Sequence, residues 1–128
     1  MTREILFNIG GVYGDKAAAI DRFCETVDRL APDLRRRIVI ENDERHYNPA
    51  DVLAISRRTD LPVVFGSLPY SVNSGEGELD GWLRAIFTTW SEADGLPKVH
   101  FSSQAADGRI GNHAAEADPL EFKHWVKR

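Results

Sequence analysis

Short apolar or alternating runs recur along this chain, and longer segments with helical periodicity separate them. These runs predict strands at residues 4–9, 37–43, 61–65 and 98–103. The second run is the most informative, because consecutive apolar residues pass directly into Glu41, Asn42 and Asp43. An apolar run of this kind is typical of a strand buried on both faces of a parallel sheet.

Glu41 and Asp43 therefore lie at the carboxyl end of a predicted strand. In α/β architectures ligands and catalytic groups collect at these ends, so metal or substrate is expected there. A plainer interpretation stays open, in which Asn42 and Asp43 turn the chain and Glu41 pairs with a neighbouring arginine.

The segments between the strands carry apolar residues at three- and four-residue steps, which predicts amphipathic helices. Asp15 is expected to cap the first helix, and Pro32 to end it. Asn48, with proline after it, is expected to start a helix that runs to about Arg58. Further helices are predicted at residues 76–90 and from residue 118 onward, with a loop at residues 66–73.

The prediction is thus a single α/β domain, residues 1–128, of four strand–helix units in strict alternation. Such alternation implies parallel strands joined by right-handed crossovers. Two architectures stay open on periodicity alone. One is a small doubly wound sheet, and the other is half of a TIM barrel, which normally needs about 250 residues to close.

Composition narrows the function classes. Sixteen basic and twenty acidic residues give a net charge of −4, so no global positive field recruits nucleic acid. The single cysteine, Cys24, excludes an internal disulfide and fits a reducing cytoplasm; in mid-helix, it is expected to be a buried apolar residue. A signal segment and an apolar run of membrane-spanning length are absent from the sequence, so we expect a soluble cytoplasmic protein.

Four segments of the chain, taken in order and spacing, resemble motifs of the UV-damage endonucleases. They are Asn8-Ile9-Gly10-Gly11-Val12-Tyr13-Gly14-Asp15-Lys16, Ile40-Glu41-Asn42-Asp43, Lys98-Val99-His100-Phe101-Ser102-Ser103 and His113-Ala114. The resemblance covers the carboxyl-terminal half of such an enzyme, and the units would be its fourth to seventh. It implies a TIM-barrel fold and metal-dependent cleavage of damaged DNA on the 5′ side of a lesion.

The resemblance also implies roles for individual residues. Glu41 falls on a metal-bridging glutamate, Lys98 on an active-site lysine that can be carboxylated, and His100 and His113 on histidine ligands. Glu41 and Lys98 are the catalytic candidates, and all four are candidate ligands of a divalent metal, commonly manganese. Carboxylate and imidazole groups suit manganese, iron or zinc.

Three positions depart from the family pattern. Asn8 replaces a histidine, Gly66 stands where the family has an aspartate, and Pro69 stands where it has a histidine. Glycine and proline side chains cannot coordinate a metal, so the site is expected to be incomplete. We expect catalysis by this chain alone to be impaired.

Two hypotheses about function follow. The first is a metal-dependent endonuclease that acts on damaged DNA within a larger assembly, either a homodimer or a protein with the missing amino-terminal half. The second is a non-catalytic half-barrel that serves as an interaction module. An unpaired half-barrel would expose an apolar face and two strand edges, which favours a partner in both cases.

Other conspicuous residues are expected to be structural. Trp82, Phe87 and Trp90 have helical spacing, which favours core or interface packing over a base-stacking platform. Residues 35–37 are three consecutive arginines that precede their strand, which places them at the end of the barrel opposite the site.

Overall fold

The computed structural model describes residues 5–7, 9–12 and 14–101. It contains β1 (Ile5–Phe7), α1 (Lys16–Asp28), α2 (Pro32–Arg35), β2 (Ile38–Glu41), α3 (Pro49–Thr59), β3 (Val63–Gly66), α4 (Ser67–Val72), α5 (Leu79–Phe87), a 3₁₀ turn (Glu92–Asp94) and β4 (Val99–His100). None of the helices in these ranges is long and apolar enough to cross a membrane.

The strands form a four-stranded sheet in the order β1-β2-β3-β4, and every neighbouring pair is parallel. This order decides between the two predicted architectures. A doubly wound sheet reverses direction at a switch point, whereas strands added on one side only, in chain order, are those of a barrel. The structure therefore confirms four parallel strands with alternating helices, arranged as half of a TIM barrel.

The main core lies between the sheet and the helices. Ile38 and Ile40 of β2 and Val63 and Phe65 of β3 point into it, and all four are fully buried. Alternate residues point to the other face of the sheet, where Val39 and Val64 pack with Trp90 in a second, smaller cluster. Each buried strand thus serves two layers, which explains its unbroken apolar sequence.

The predicted starts of α1 and α3 are confirmed. The Asp15 carboxylate accepts a hydrogen bond from the backbone N–H of Ala18 at 3.0 Å. Asn48 and Asp51 form a reciprocal capping box, each side chain accepting from the other residue's backbone N–H at 3.0 Å. Asp60 ends α3 in the left-handed conformation, with φ at 60°.

The prediction of a loop at residues 66–73 is wrong, because β3 includes Gly66 and α4 follows immediately. Pro69 is compatible with this short helix because it lies in the first turn, where backbone N–H groups have no partner within the helix. The Ser71 hydroxyl also donates to the carbonyl of Leu68 at 2.7 Å.

The helix predicted at residues 76–90 is shorter in the structure, where α5 spans Leu79–Phe87. Gly77 has φ at 113°, outside the helical region, so the helix cannot begin before it. After the helix, the Thr89 hydroxyl accepts from the N–H of Val63 at 2.9 Å, and the Trp90 indole donates to the carbonyl of Val63 at 2.7 Å. The two side chains thus provide hydrogen-bond partners for the backbone of Val63, which precedes the part of β3 that pairs with β4.

The other predictions have mixed outcomes. Cys24 and Trp90 are buried as expected, but Phe87 is 42% exposed and does not belong to the core. The strand predicted at residues 98–103 is observed as β4 at Val99–His100, and residues 102–128, which include the segment predicted from residue 118 onward, lie outside the described residues.

Asn42 fixes the carboxyl end of β3 against β2. Its side chain is 1% exposed, accepts from the N–H of Gly66 at 2.8 Å and donates to the carbonyl of Gly66 at 3.1 Å. The carboxamide thereby continues the hydrogen-bond ladder one residue beyond the last backbone pairing of the two strands. This contact holds the backbone beside Glu41 in a defined position.

We expect Asn42→Ala to lower the free energy of unfolding by roughly 2–4 kcal/mol, because two buried backbone groups lose their partner. Urea denaturation followed by circular dichroism measures the loss. The matched control is Asn73→Ala, which removes one longer bond, of 3.2 Å, to the carbonyl of Asp43 and should cost about 1 kcal/mol. Equal losses for both variants would contradict the ladder role of Asn42.

Cys24 should be unreactive in the folded protein. Burial raises the pKa of its thiol, because the thiolate would lose its hydration, so the reactive fraction at pH 8 is smaller than for an exposed cysteine. We expect iodoacetamide to modify the native chain only as fast as the fold opens, and to modify it promptly in urea. Modification of the native chain at the rate of free glutathione would contradict this burial.

Candidate metal and catalytic site

The candidate site lies at the carboxyl edge of the sheet. Glu41 is the last residue of β2, and His100 is the last residue of β4. The Nδ1 atom of His100 lies 3.0 Å from the Oε1 atom of Glu41, and the side chains are 52% and 18% exposed respectively. The structure therefore brings together two of the four predicted site residues.

The contact between these residues crosses an entire strand. Glu41 pairs in register with Val64, and His100 pairs in register with Gly66, so β3 lies between the two side chains. The Glu41 carboxylate reaches His100 by lying over Gly66: an ideal Cβ atom built on Gly66 would be 2.6 Å from Oε1 of Glu41. The absence of a side chain at residue 66 leaves room for the pair.

Of the other two predicted site residues, only Lys98 lies in the part of the chain that the structure describes. Lys98 is part-buried and immediately precedes β4, so strand alternation puts it on the same face as His100. His113 and Asn8 lie outside the described residues, so their predicted roles stay predictions. Gly66 and Pro69 are both buried next to the pair, where neither can offer a donor side chain.

Asp43 has a structural role, as the plainer interpretation of the sequence proposed. Its Oδ1 atom accepts from the backbone N–H groups of Arg45, His46 and Tyr47 at 2.9, 2.7 and 3.0 Å. This carboxylate caps the turn that follows β2. Glu41, for which an arginine partner was the plainer interpretation, lies beside His100 in the structure.

The arginines at residues 36 and 37 lie far from the pair, as predicted. They line an open cleft of about 970 Å³ at the amino ends of the strands. Acidic residues share this cleft, and Arg36 forms an ion pair with Asp33. Mixed charges of this kind do not form a positive surface for DNA.

The side chains that meet at this site decide whether a metal ion could bind there. A carboxylate oxygen and an imidazole nitrogen are suitable ligands for manganese, iron or zinc. Within residues 5–101, as far as they are described, no group of three or more histidine, cysteine, aspartate or glutamate side chains is arranged to hold an ion. The chemistry of the pair fits a divalent metal, whereas the number of donors fits only part of its coordination shell.

Two residues of this site were missed or misjudged from sequence. The sequence suggests a turn residue at Asn42, whereas its buried carboxamide extends the hydrogen-bond ladder between two strands. Gly66 was noted only as a lost ligand. Gly66 leaves room for the Glu41 side chain. This role depends on the pairing of three strands, which a single sequence does not reveal.

Comparison with known proteins places this geometry in a family. The family model of the UV-endonuclease UvdE matches residues 2–127. UV DNA damage endonucleases from Bacillus cereus (strain Q1) and Bacillus mycoides (strain KBAB4) are each 37% identical over 118 residues, covering 92% of this chain. The crystal structure of SacUVDE superposes with a TM-score of 0.89 at 29% sequence identity and covers 97% of this chain.

These relatives are considerably longer than the chain. It spans 37% of the length of the two Bacillus proteins and 42% of the SacUVDE chain. The shared region includes all four strands and the Glu41–His100 pair. The match over nearly every residue shows that this chain belongs to the UV-endonuclease UvdE family.

Proposed function

We propose that this chain carries part of the active site of a metal-dependent DNA repair endonuclease. The reaction is phosphodiester cleavage on the 5′ side of a lesion in damaged DNA. The observation that supports this most is the contact between Glu41 and His100 at the carboxyl edge of the sheet. In barrels of this type the chemistry takes place at that edge.

The residues present would supply ligands of two kinds. Glu41 offers carboxylate oxygens and His100 an imidazole nitrogen, and the resemblance adds Lys98 and His113. A bound divalent ion, manganese for this family, would neutralise phosphate charge and lower the pKa of an attacking water. The part of this chain is to hold the donors in place: Glu41 ends β2, His100 ends β4, and Asn42 fixes the end of the strand between them.

We further propose that the site is incomplete in this chain alone. Gly66 and Pro69 provide no donors, and the chain covers 37% of the length of its Bacillus relatives. The missing donors and the contacts to DNA would come from a second copy or from an amino-terminal half like that of the longer relatives. A formal charge of −4 supports this division, since the net charge of the chain does not attract the DNA backbone.

The alternative is a non-catalytic interaction module that keeps the half-barrel. The lack of a group of three donor side chains among the described residues favours it. In this case Glu41 and His100 would remain as a structural pair. Measurements of metal binding and of DNA cleavage distinguish the endonuclease from the interaction module.

The first test is metal content. We expect the chain, purified without chelator, to retain manganese, iron or zinc by elemental analysis, and His100→Ala to bind at least about tenfold more weakly because an imidazole donor is lost. His46→Ala is the matched control, because the ring of His46 packs edge-on against Tyr47 at a centroid distance of 6.3 Å. A metal-free wild type, or an equal loss in both variants, would argue for the module.

The second test is cleavage. With added manganese, we expect slow nicking of ultraviolet-irradiated plasmid, none of unirradiated plasmid, and loss of nicking in Glu41→Ala, which removes the carboxylate. Light scattering on the same sample measures assembly: twice the chain mass of 14.4 kDa would support a second copy as the partner. Nicking that persists in Glu41→Ala would reject the proposed site.

A further inference from the structure

The backbone conformation of Gly66 does not explain why this residue is a glycine. Its backbone has φ at −93° and ψ at 114°, a region open to any amino acid. Both of its backbone polar groups are hydrogen-bonded to Asn42. Glycine usually serves where φ is positive or where the chain must turn tightly, and neither condition applies here. Its value must lie in the space that the missing side chain leaves.

That space is occupied by the Glu41 side chain. An ideal Cβ atom on Gly66 would lie 2.6 Å from Oε1 and 3.2 Å from Cδ of Glu41, and 3.1 Å from Cγ of Pro69. The first distance is shorter than side chains tolerate, so one group would have to move. The end of a flexible glutamate moves at little cost, whereas Pro69 is part of α4 and has less freedom.

The geometry of the sheet explains why this space matters. Neighbouring strands are about 4.8 Å apart, so β2 and β4 are separated by roughly 10 Å. Side chains on two such strands meet only by passing over the strand between them, and they do so here at 3.0 Å. The residue beneath the crossing is Gly66, which is in register with His100.

We infer that Gly66 is a positioning residue: its lack of a side chain allows Glu41 to cross β3 and pair with His100. Glu41 and His100 thus form a site from two strands that are not adjacent. A methyl group at residue 66 would displace the carboxylate from the imidazole without adding a donor, unlike the aspartate of the family pattern. The consequence for metal binding rests on the proposed function. The contact between the two side chains is independent of that function.

The test uses Gly66→Ala in the metal-free protein. An ionised carboxylate only accepts hydrogen bonds, so a pair of this geometry is expected to have the Nδ1 atom of His100 as the donor. We expect ¹⁵N–¹H spectra of the imidazole to show a protonated Nδ1 in the wild type and the loss of this signature in Gly66→Ala. Glu41→Gln identifies the signal, because a neutral amide does not hold the same proton as strongly.

Gly81→Ala is the matched control, since an ideal Cβ atom on Gly81 meets nothing within 4 Å. It makes the same chemical change in α5 and should leave the His100 spectrum unchanged. The thermal midpoint of Gly66→Ala should stay near that of the wild type, because the displaced group is the end of a flexible side chain. A collapse of the fold would instead show that the position tolerates no added atom for reasons of packing.

Metal affinity provides the functional measurement. We expect Gly66→Ala to weaken manganese binding about tenfold to a hundredfold, as is usual for residues that orient ligands. In a His100→Ala background the same change should have no further effect, because the pair is already lost. Independent, additive losses would show that Gly66 does not act through the pair.

The imidazole spectra and the metal affinity test the two proposals independently. A wild type with a protonated Nδ1 but no metal affinity would reject the proposed function and leave the role of Gly66 intact. Retention of the Nδ1 signature in Gly66→Ala would overturn the inference, whatever the metal data show.

Discussion

The parallel pairing of four strands in chain order is the constraint on which the rest of this structure depends. Right-handed crossovers in that order place successive helices on one face of the sheet. All carboxyl ends then lie at one edge, so Glu41 and His100, 59 residues apart in the chain, come to the same place. On the other face of the sheet, Val39 and Val64 pack with Trp90 in a second cluster.

The sequence predicts the features that depend on neighbours in the chain. The strand β2 follows from three consecutive apolar residues, and the starts of α1 and α3 follow from Asp15 and from Asn48, whose side chains bond within three residues. The helix α4 was missed because glycine, serine and proline suggest a turn. Pro69 is compatible with this helix because it falls in the first turn, where a backbone N–H would have no partner within the helix.

The candidate site was predictable only in part, for a similar reason. Glu41 was recognised by its position at a strand end, and that position is set by local sequence. Its partner is set by two strand registers and by the absence of a side chain at Gly66, which are properties of three strands together. Asp43 shows the converse case: of the two interpretations that its sequence allows, the structure supports the turn residue, because three backbone N–H groups donate to Oδ1.

The pairing of Glu41 with His100 also satisfies a need that is independent of catalysis. A carboxylate that is 18% exposed loses much of its hydration and is costly without a partner. In the family pattern an aspartate would stand at residue 66, and a metal would balance both carboxylates. With glycine there, the remaining carboxylate reaches an imidazole instead. The two residues therefore have a physical reason to persist even without a metal.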